Sequence, residues 1–467
     1  MSLAATASRN ARCFIALRLL MHARYYYPVF MILFLDFGLT VAQFSWLNAV
    51  WAVAIVTLEV PSGALADIVG RKALVVAAVV LMILEMLVLC VVPVGSSLVL
   101  GAFILNRILS GASEAAASGA DEAVAYDALR LAGQEDRWPK VLEKLGYATA
   151  TASFLAMSLG SAVFDPGVWN TVAGWLGSSA EFSKEDTVKW PLYLTLANAV
   201  VALGFALALR APDDRPPRPD GAGAAWRASK EAFRGALRTG KWILQRREVW
   251  WIMLGGLMLD HVARFAVTVA SEFLRTTGWE EALLGPLMAA MALIGLPLAR
   301  LARFLIERRS PTFNAGLLTV WTLAALSGMA FVNALAAPWL PRQAVALLLI
   351  YGLFSVMILV QPLLSAYLNK LAPPERRATV LSFKGLALNV AYGGFGLLYA
   401  RLFTTATQPA MAEGEAFLES LWVLPVYFAL AVGAVLALAA FKGPGSFMAK
   451  PEPPEGVTDE SSPPKTP

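Results

Sequence analysis

The sequence predicts an all-α membrane protein whose twelve transmembrane helices form two pseudo-symmetric six-helix bundles. Three observations lead there. Of 467 residues, 58% are hydrophobic and only 15% are charged, whereas a soluble domain carries about a quarter charged residues. Twelve apolar stretches each supply the roughly 20 helical residues needed to cross a hydrocarbon core of about 30 Å. One run, APDDRPPRPDGAGAAW at 211–226, divides them six and six. Its prolines, glycines and charges cannot form a membrane span.

In chain order the spans are placed at 13–36, 41–66, 73–92, 97–127, 139–163 and 190–210, then 248–273, 281–305, 312–335, 342–370, 377–402 and 417–441. The domains follow: an N-terminal bundle 1–210, a linker 211–247, a C-terminal bundle 248–441 and a disordered tail 442–467. In the linker, Arg227, Lys230, Arg234, Arg238 and Lys241 recur at helical steps, with Phe233, Leu237 and Leu244 on another face. That pattern suits a basic amphipathic helix lying on a membrane surface. The start, MSLAATASRNARC, lacks the apolar core and cleavage site of a cleavable signal. Trp169, Trp175 and Trp190 sit where a headgroup boundary is expected.

Alternating spans place most basic residues on one side, among them Arg9, Arg12, Arg71, Lys72, Arg130, Arg137, Arg308, Arg309, Arg376 and Arg377. The other side carries chiefly Lys184, Lys189, Arg275 and Arg342. Positive residues stay inside, so both termini are expected in the cytoplasm of a multi-pass cytoplasmic (inner) membrane protein. The net charge of +5 therefore belongs to these loops, and nucleic-acid binding is not expected. Cys13 and Cys90 suggest neither a disulfide framework nor a metal cluster.

Between the second and third spans lies LEVPSGALADIVGRK, 58–72. It resembles the signature loop of the major facilitator superfamily, Gly-x-Leu-Ala-Asp-x-x-Gly-Arg-Lys, through Gly63, Leu65, Ala66, Asp67, Gly70, Arg71 and Lys72. Ile68 stands where a basic residue is usual. The second-half counterpart, GLPLARLARFLIERR at 295–309, keeps the glycine and the basic end but has Arg300 in place of the aspartate. The resemblance implies that spans 1, 4, 7 and 10 line a central cavity. It also implies that Asp67 and Arg71 latch onto an acidic end of span 4, where Asp121, Glu122 and Asp127 stand. Pieces of that acidic end resemble stretches in bacterial facilitators.

Ionisable groups in mid-membrane are functional candidates by default, because lipid cannot solvate them. Arg18, His22 and Tyr25 or Tyr26 are spaced to share a face of span 1, and Arg107, Glu114 and Asp121 fall at steps of seven on span 4. Asp260, His261 and Arg264 cluster within about one turn of span 7, while Glu85, Lys384, Asn389 and Gln361 are isolated polar residues elsewhere. Pseudo-symmetry would set His22 and His261 across the cavity from one another. Arg107 followed by Gly111 resembles a family pattern on span 4 linked to proton coupling or substrate contact. For each buried charge the structural alternative is an ion pair that only holds the bundle together.

The expected activity is secondary transport of a small organic, anionic or zwitterionic solute by alternating access, coupled to protons, with export favoured over uptake. An uptake symporter or facilitator is the alternative, and a non-transporting receptor the third reading. Span 5 lacks the Gly-Pro-x-x-Gly-Gly of many drug/proton antiporters, and no phosphate-binding Gly-x-x-x-x-Gly-Lys-Ser is present. No enzyme activity, cofactor or metal is expected. The partners expected are the solute, protons and the lipid bilayer, around a monomer.

Overall fold

The computed structural model describes residues 2–210, 222–373, 376–406 and 411–441. Residues 211–221 of the expected linker and 442–467 of the expected tail lie outside the described residues, and so do the surroundings of Gly63 and the side chains of Asp67 and Trp226. The first bundle comprises α1 (Leu3–His22), α2 (Phe30–Asp36), α3 (Val41–Val69), α4 (Arg71–Val91), α5 (Val99–Ala117), α6 (Ala120–Leu131), α7 (Trp138–Phe164) and α10 (Trp190–Ala208). Two short helices, α8 (Pro166–Trp175) and α9 (Lys184–Thr187), cap it between α7 and α10. After the linker helix α11 (Ala222–Gln245), the second bundle comprises α12 (Arg247–Thr268), α13 (Ala270–Thr276), α14 (Glu281–Arg308), α15 (Pro311–Ala330), α16 (Val332–Leu335), α17 (Arg342–Leu371), α18 (Arg377–Ala406), α19 (Glu413–Ser420) and α20 (Val423–Phe441).

Among the described residues, nine helices are long and apolar enough to span a membrane, and α12 with α13, bent by 50°, makes a tenth. The other two spans are broken. The first stops at His22 and resumes at Phe30, although an unbroken 13–36 is expected from hydropathy. Pro28 accounts for this: it has no amide to donate, and its ring clashes with the carbonyl of Arg24 one turn back. The fourth breaks at Ser118–Gly119, where Gly119 adopts φ +71°, a left-handed conformation that costs glycine little. An uninterrupted 97–127 is thereby corrected as well.

The two bundles meet along α7 with α14 and α3 with α18. At Gly285 the approach is so close that an added Cβ would lie 2.1 Å from the Met157 carbonyl oxygen, so only glycine fits there. Call the end that carries the start of α1 and the finish of α20 the near end, and the opposite one the far end. Toward the far end, aromatic and aliphatic side chains of both bundles, including Phe34, Phe44, Phe265 and Phe273, merge into one buried core. Toward the near end the cores separate, with Leu17, Leu74 and Val79 in one and Met253, Leu364 and Leu368 in the other. The bundles are thus shut at the far end and apart at the near end.

Helix α11 does not float free of the bundle. It packs against α3 and α18, burying Ile243, stacking Trp242 under Arg376 at 5.6 Å and leaving Phe233, Leu237 and Leu244 exposed.

Candidate functional site

The break in the first span supplies the N-terminal wall of the site. With only a single 3-10 turn, Tyr27–Val29, between His22 and Phe30, the loop's backbone groups need other partners. Tyr25 N–H donates to Thr195 Oγ1 at 3.1 Å, and Asn198 donates to the Ala23 carbonyl at 3.1 Å, so α10 repairs the gap. The same loop turns Arg24 inward. Its Nη1 lies 2.5 Å from Oε1 of the fully buried Glu85 on α4 and donates to the Tyr26 hydroxyl at 3.0 Å. Asn106 on α5 donates to the Glu85 carbonyl at 2.8 Å, and its Oδ1 accepts from Arg107 Nε and Nη2 at 3.0 and 2.7 Å.

Arg107 itself is 4% exposed, and its guanidinium lies over the rings of Phe30 and Phe34 at 5.3 and 5.4 Å. Among the described residues it has no carboxylate partner. Glu114, two turns further along α5, is exposed yet lies within electrostatic reach of Arg24, Glu85 and Arg107 on its own side and of Arg264 across the interface. A group that is accessible and senses both bundles must face the space between them.

The C-terminal wall is a polar ladder across α12, α17 and α18. The fully buried Asp260 pairs with Arg264 at 2.5 Å and accepts from Gln361 Nε2 at 2.8 Å. Lys384 donates to Gln361 Oε1 at 3.2 Å and to Ser365 at 2.8 Å. Arg264 also donates to Asn389 at 3.0 Å and sits 5.6 Å from the centroid of Tyr392. The Tyr392 hydroxyl donates to Thr268 at 3.2 Å, and its ring meets Trp51 of the other bundle edge-on at 6.3 Å.

Several expected groupings are rearranged. Arg18, His22 and Tyr25 do not share a helical face, because α1 ends at His22 and Tyr25 belongs to the loop. Arg18 pairs with Asp121, while His22 is exposed with Arg18, Arg24 and Asp121 in electrostatic reach. Asp121 leaves the Arg107–Glu114 stripe because the break at Gly119 carries it onto α6. His261 points away from Asp260 and Arg264: its Nδ1 faces the Leu257 carbonyl at 2.5 Å and its Nε2 the Tyr427 hydroxyl at 3.0 Å. It is packed edge-on against Phe395, inside the wall of the second bundle, and does not face His22 across a cavity. Arg24 is absent from the residues singled out by hydropathy and spacing, and its buried pair with Glu85 follows from Pro28, four residues on, which ends the helix before it.

At the near end Arg71 pairs with Asp127, which also lies 3.6 Å from Arg130. Asp121 is committed to Arg18, and Glu122 is exposed. At the far end an ionic seam crosses between the bundles: Asp36 with Arg275 at 2.9 Å, and Lys184 with Glu281. Arg275 additionally holds the buried Glu272 at 2.7 Å. Hydrogen bonds run alongside, from Met31 N–H to Ser271 Oγ at 3.1 Å, Ser161 Oγ to the Ala282 carbonyl at 2.8 Å, and to the carboxylates of Asp165 from Ala282 N–H at 3.1 Å and of Glu413 from Val41 N–H at 3.1 Å. No such bond joins the two bundles at the near end among the described residues. In the sequence Lys184 and Arg275 stand only as sparse outside charges, since their carboxylate partners across the seam, Glu281 and Asp36, lie far away in the chain. Among the described residues no group of three or more His, Cys, Asp or Glu side chains is placed to hold a metal ion.

Two bundles shut at one end around a charged cleft are the architecture of alternating-access carriers, and comparison with known proteins decides the family. The family model described as Major Facilitator Superfamily matches residues 13–396. The chain belongs to the Major Facilitator Superfamily. Its fold is that of solved superfamily transporters. The nucleoside transporter NupG superposes with a TM-score of 0.63 at 14% identity, covering 95% of this chain and 100% of that one. A bacterial homologue of the human lysosomal transporter Spinster, in an inward-facing and occupied conformation, gives 0.62 at 15% identity, covering 96% and 99%. A D-xylose–proton symporter gives 0.58 at 16% identity, covering 92% and 96%. No curated protein sequence matches the chain. These likenesses establish a multi-pass membrane protein with the superfamily's transporter fold and its twelve helices.

Proposed function

We propose that this superfamily member is a secondary active transporter that moves a small organic solute across the cytoplasmic membrane by rocking its two bundles about the central cleft. The observation that carries the reading is the pair of facing charged walls, Arg24, Glu85, Arg107 and Glu114 against Asp260, Arg264, Gln361 and Lys384. They meet where the far-end seam closes and the near end stays apart. Charges at this depth cost too much to keep without a task. The gating role proposed for the 58–72 loop rests on its place at the end that must close when the far end opens; its Arg71–Asp127 pair lies within the first bundle and is formed while that end is apart. With basic loops inside, the near end faces the cytoplasm and the structure is the inward-facing state.

Proton coupling is part of the proposal, carried by carboxylates that exchange partners as the walls move. A proton falling through 100 mV supplies about 2.3 kcal/mol, enough to bias a two-state equilibrium by more than tenfold. Export is the favoured direction. Uptake by the same mechanism is the alternative, and a receptor would bind without flux. The test is flux in proteoliposomes of defined orientation under an imposed pH gradient. Gradient-dependent movement of a solute that vanishes in Arg107→Ala is expected; flux untouched by that substitution would remove Arg107 from the site.

A further inference from the structure

We propose that the cleft binds a small zwitterion, its carboxylate at Arg107 and its ammonium at Glu114. This rests on the transporter reading and deepens it to a substrate class. The inference comes from sorting the charges around the cleft by whether each already has an opposite partner. Arg18 is spent on Asp121, Arg24 on Glu85 and Arg264 on Asp260. Lys384 is held by Gln361 and Ser365 and lies in the field of Asp260. Among the described residues this leaves, on the same helix, Arg107 and Glu114 without an ion pair, and Glu59 on α3, likewise without one, lies in the field of Glu114 and adds to the negative pole.

Arg107 is the sharper of the two. A guanidinium that is nine-tenths buried with only an amide oxygen and two rings for company is an expensive arrangement. Asn106 occupies Nε and Nη2, and Nη1 carries no hydrogen bond among the described residues. An arriving carboxylate would complete it. Arg107 is not wholly sealed: it keeps 4% of its surface exposed, and Nη1 is not among the fully buried atoms left without a partner. At the other pole, Tyr27 is 44% exposed and lies in the field of Glu114, while its ring already carries the Arg24 guanidinium at 5.8 Å, so the carboxylate is the group offered to an ammonium.

The spacing selects among zwitterions. Seven residues of α-helix separate the two Cα atoms by about 10 Å, and both side chains lean toward the same helix terminus. The longer guanidinium of Arg107 reaches further in that direction than the carboxylate of Glu114, so a ligand bridging both must hold its two charges well apart. That separation is wider than in an α-amino acid and suits an ω-amino acid such as 4-aminobutyrate or 5-aminopentanoate, or a molecule with the same charge separation.

The experiment titrates the purified full-length protein with glycine, β-alanine, 4-aminobutyrate and 5-aminopentanoate, with butyrate and butylamine as single-charge controls, by calorimetry. Affinity should rise along the series, and each control should bind about tenfold or more weakly than 4-aminobutyrate, having lost one charged contact. Arg107→Gln should remove the advantage over butylamine, and Glu114→Gln the advantage over butyrate. Arg107→Lys and Glu114→Asp should keep part of each, and melting of the unliganded variants checks that they fold. Binding of none of the series, equal binding of butyrate or butylamine by the native protein, or an unchanged preference in both neutral variants would overturn the proposal. Zwitterion binding without flux would remove the transporter reading and leave this one. Transport of an uncharged solute by a protein blind to the series would do the reverse.

Discussion

The far-end seam sets how readily the molecule leaves its present state, and its strength can be worked out from the contacts. Among the described residues two ion pairs cross between the bundles there, Asp36–Arg275 and Lys184–Glu281, and their four side chains are 15–31% exposed. Partly exposed pairs contribute about 1 kcal/mol each. Removing both with Asp36→Asn and Lys184→Gln should therefore favour far-end opening by about 2 kcal/mol, or about 30-fold, since about 1.4 kcal/mol is tenfold. If about one molecule in a hundred is open in the native protein, about one in four is open in the double variant. Arg275 is the wrong residue to change, because its loss also strands the buried Glu272. Spin labels at Ser97, in the α4–α5 turn, and Ala334, on the short helix α16, both at the far end, report the distance once Cys13 and Cys90 are replaced by serine. A second, longer population should grow in the double variant. An unchanged distribution would mean that the apolar core, and not the ionic seam, holds the far end shut.

Two further predictions concern stability. Glu85→Gln leaves the Arg24 guanidinium buried without its carboxylate and should cost about 3–5 kcal/mol. The double variant Arg24→Met/Glu85→Gln should recover most of that loss, as read from thermal melting in detergent; a double variant no better than the single would show that the pair is not coupled. Gly285→Ala places a methyl group 2.1 Å from the Met157 carbonyl and should destabilise by about 1–3 kcal/mol through overpacking. Gly295→Ala, with open space around it, should fall within about 0.5 kcal/mol of the native protein.

Much of the fold was legible because membrane spans announce themselves through length and hydropathy, and because the 58–72 loop is a specific motif. What escaped was where the spans break. Hydropathy averages over a window, so it passes straight through Pro28 and Gly119, and these two residues decide which side chains meet. Pro28 turns Arg24 onto Glu85; Gly119 moves Asp121 from the side of Glu114 to that of Arg18. His261 shows the same limit: its neighbours in sequence are charged, yet its ring points to Tyr427 and Phe395, a direction set by the packing of α12 against α18 and α20. The far-end seam could not be read in advance, because Asp36, Lys184, Arg275 and Glu281 are brought together by tertiary structure alone. The helical step of seven between Arg107 and Glu114 survived, since no break falls between them.

The most direct measurement places the purified protein in liposomes loaded with a pH-sensitive dye and adds, from outside, the solute that stabilises it best. The expected result is a solute-dependent change of internal pH in native liposomes, absent from Arg107→Ala and from protein-free liposomes. Solute binding with the internal pH and internal solute both unchanged would contradict it and leave a bundle that recognises its ligand without carrying it.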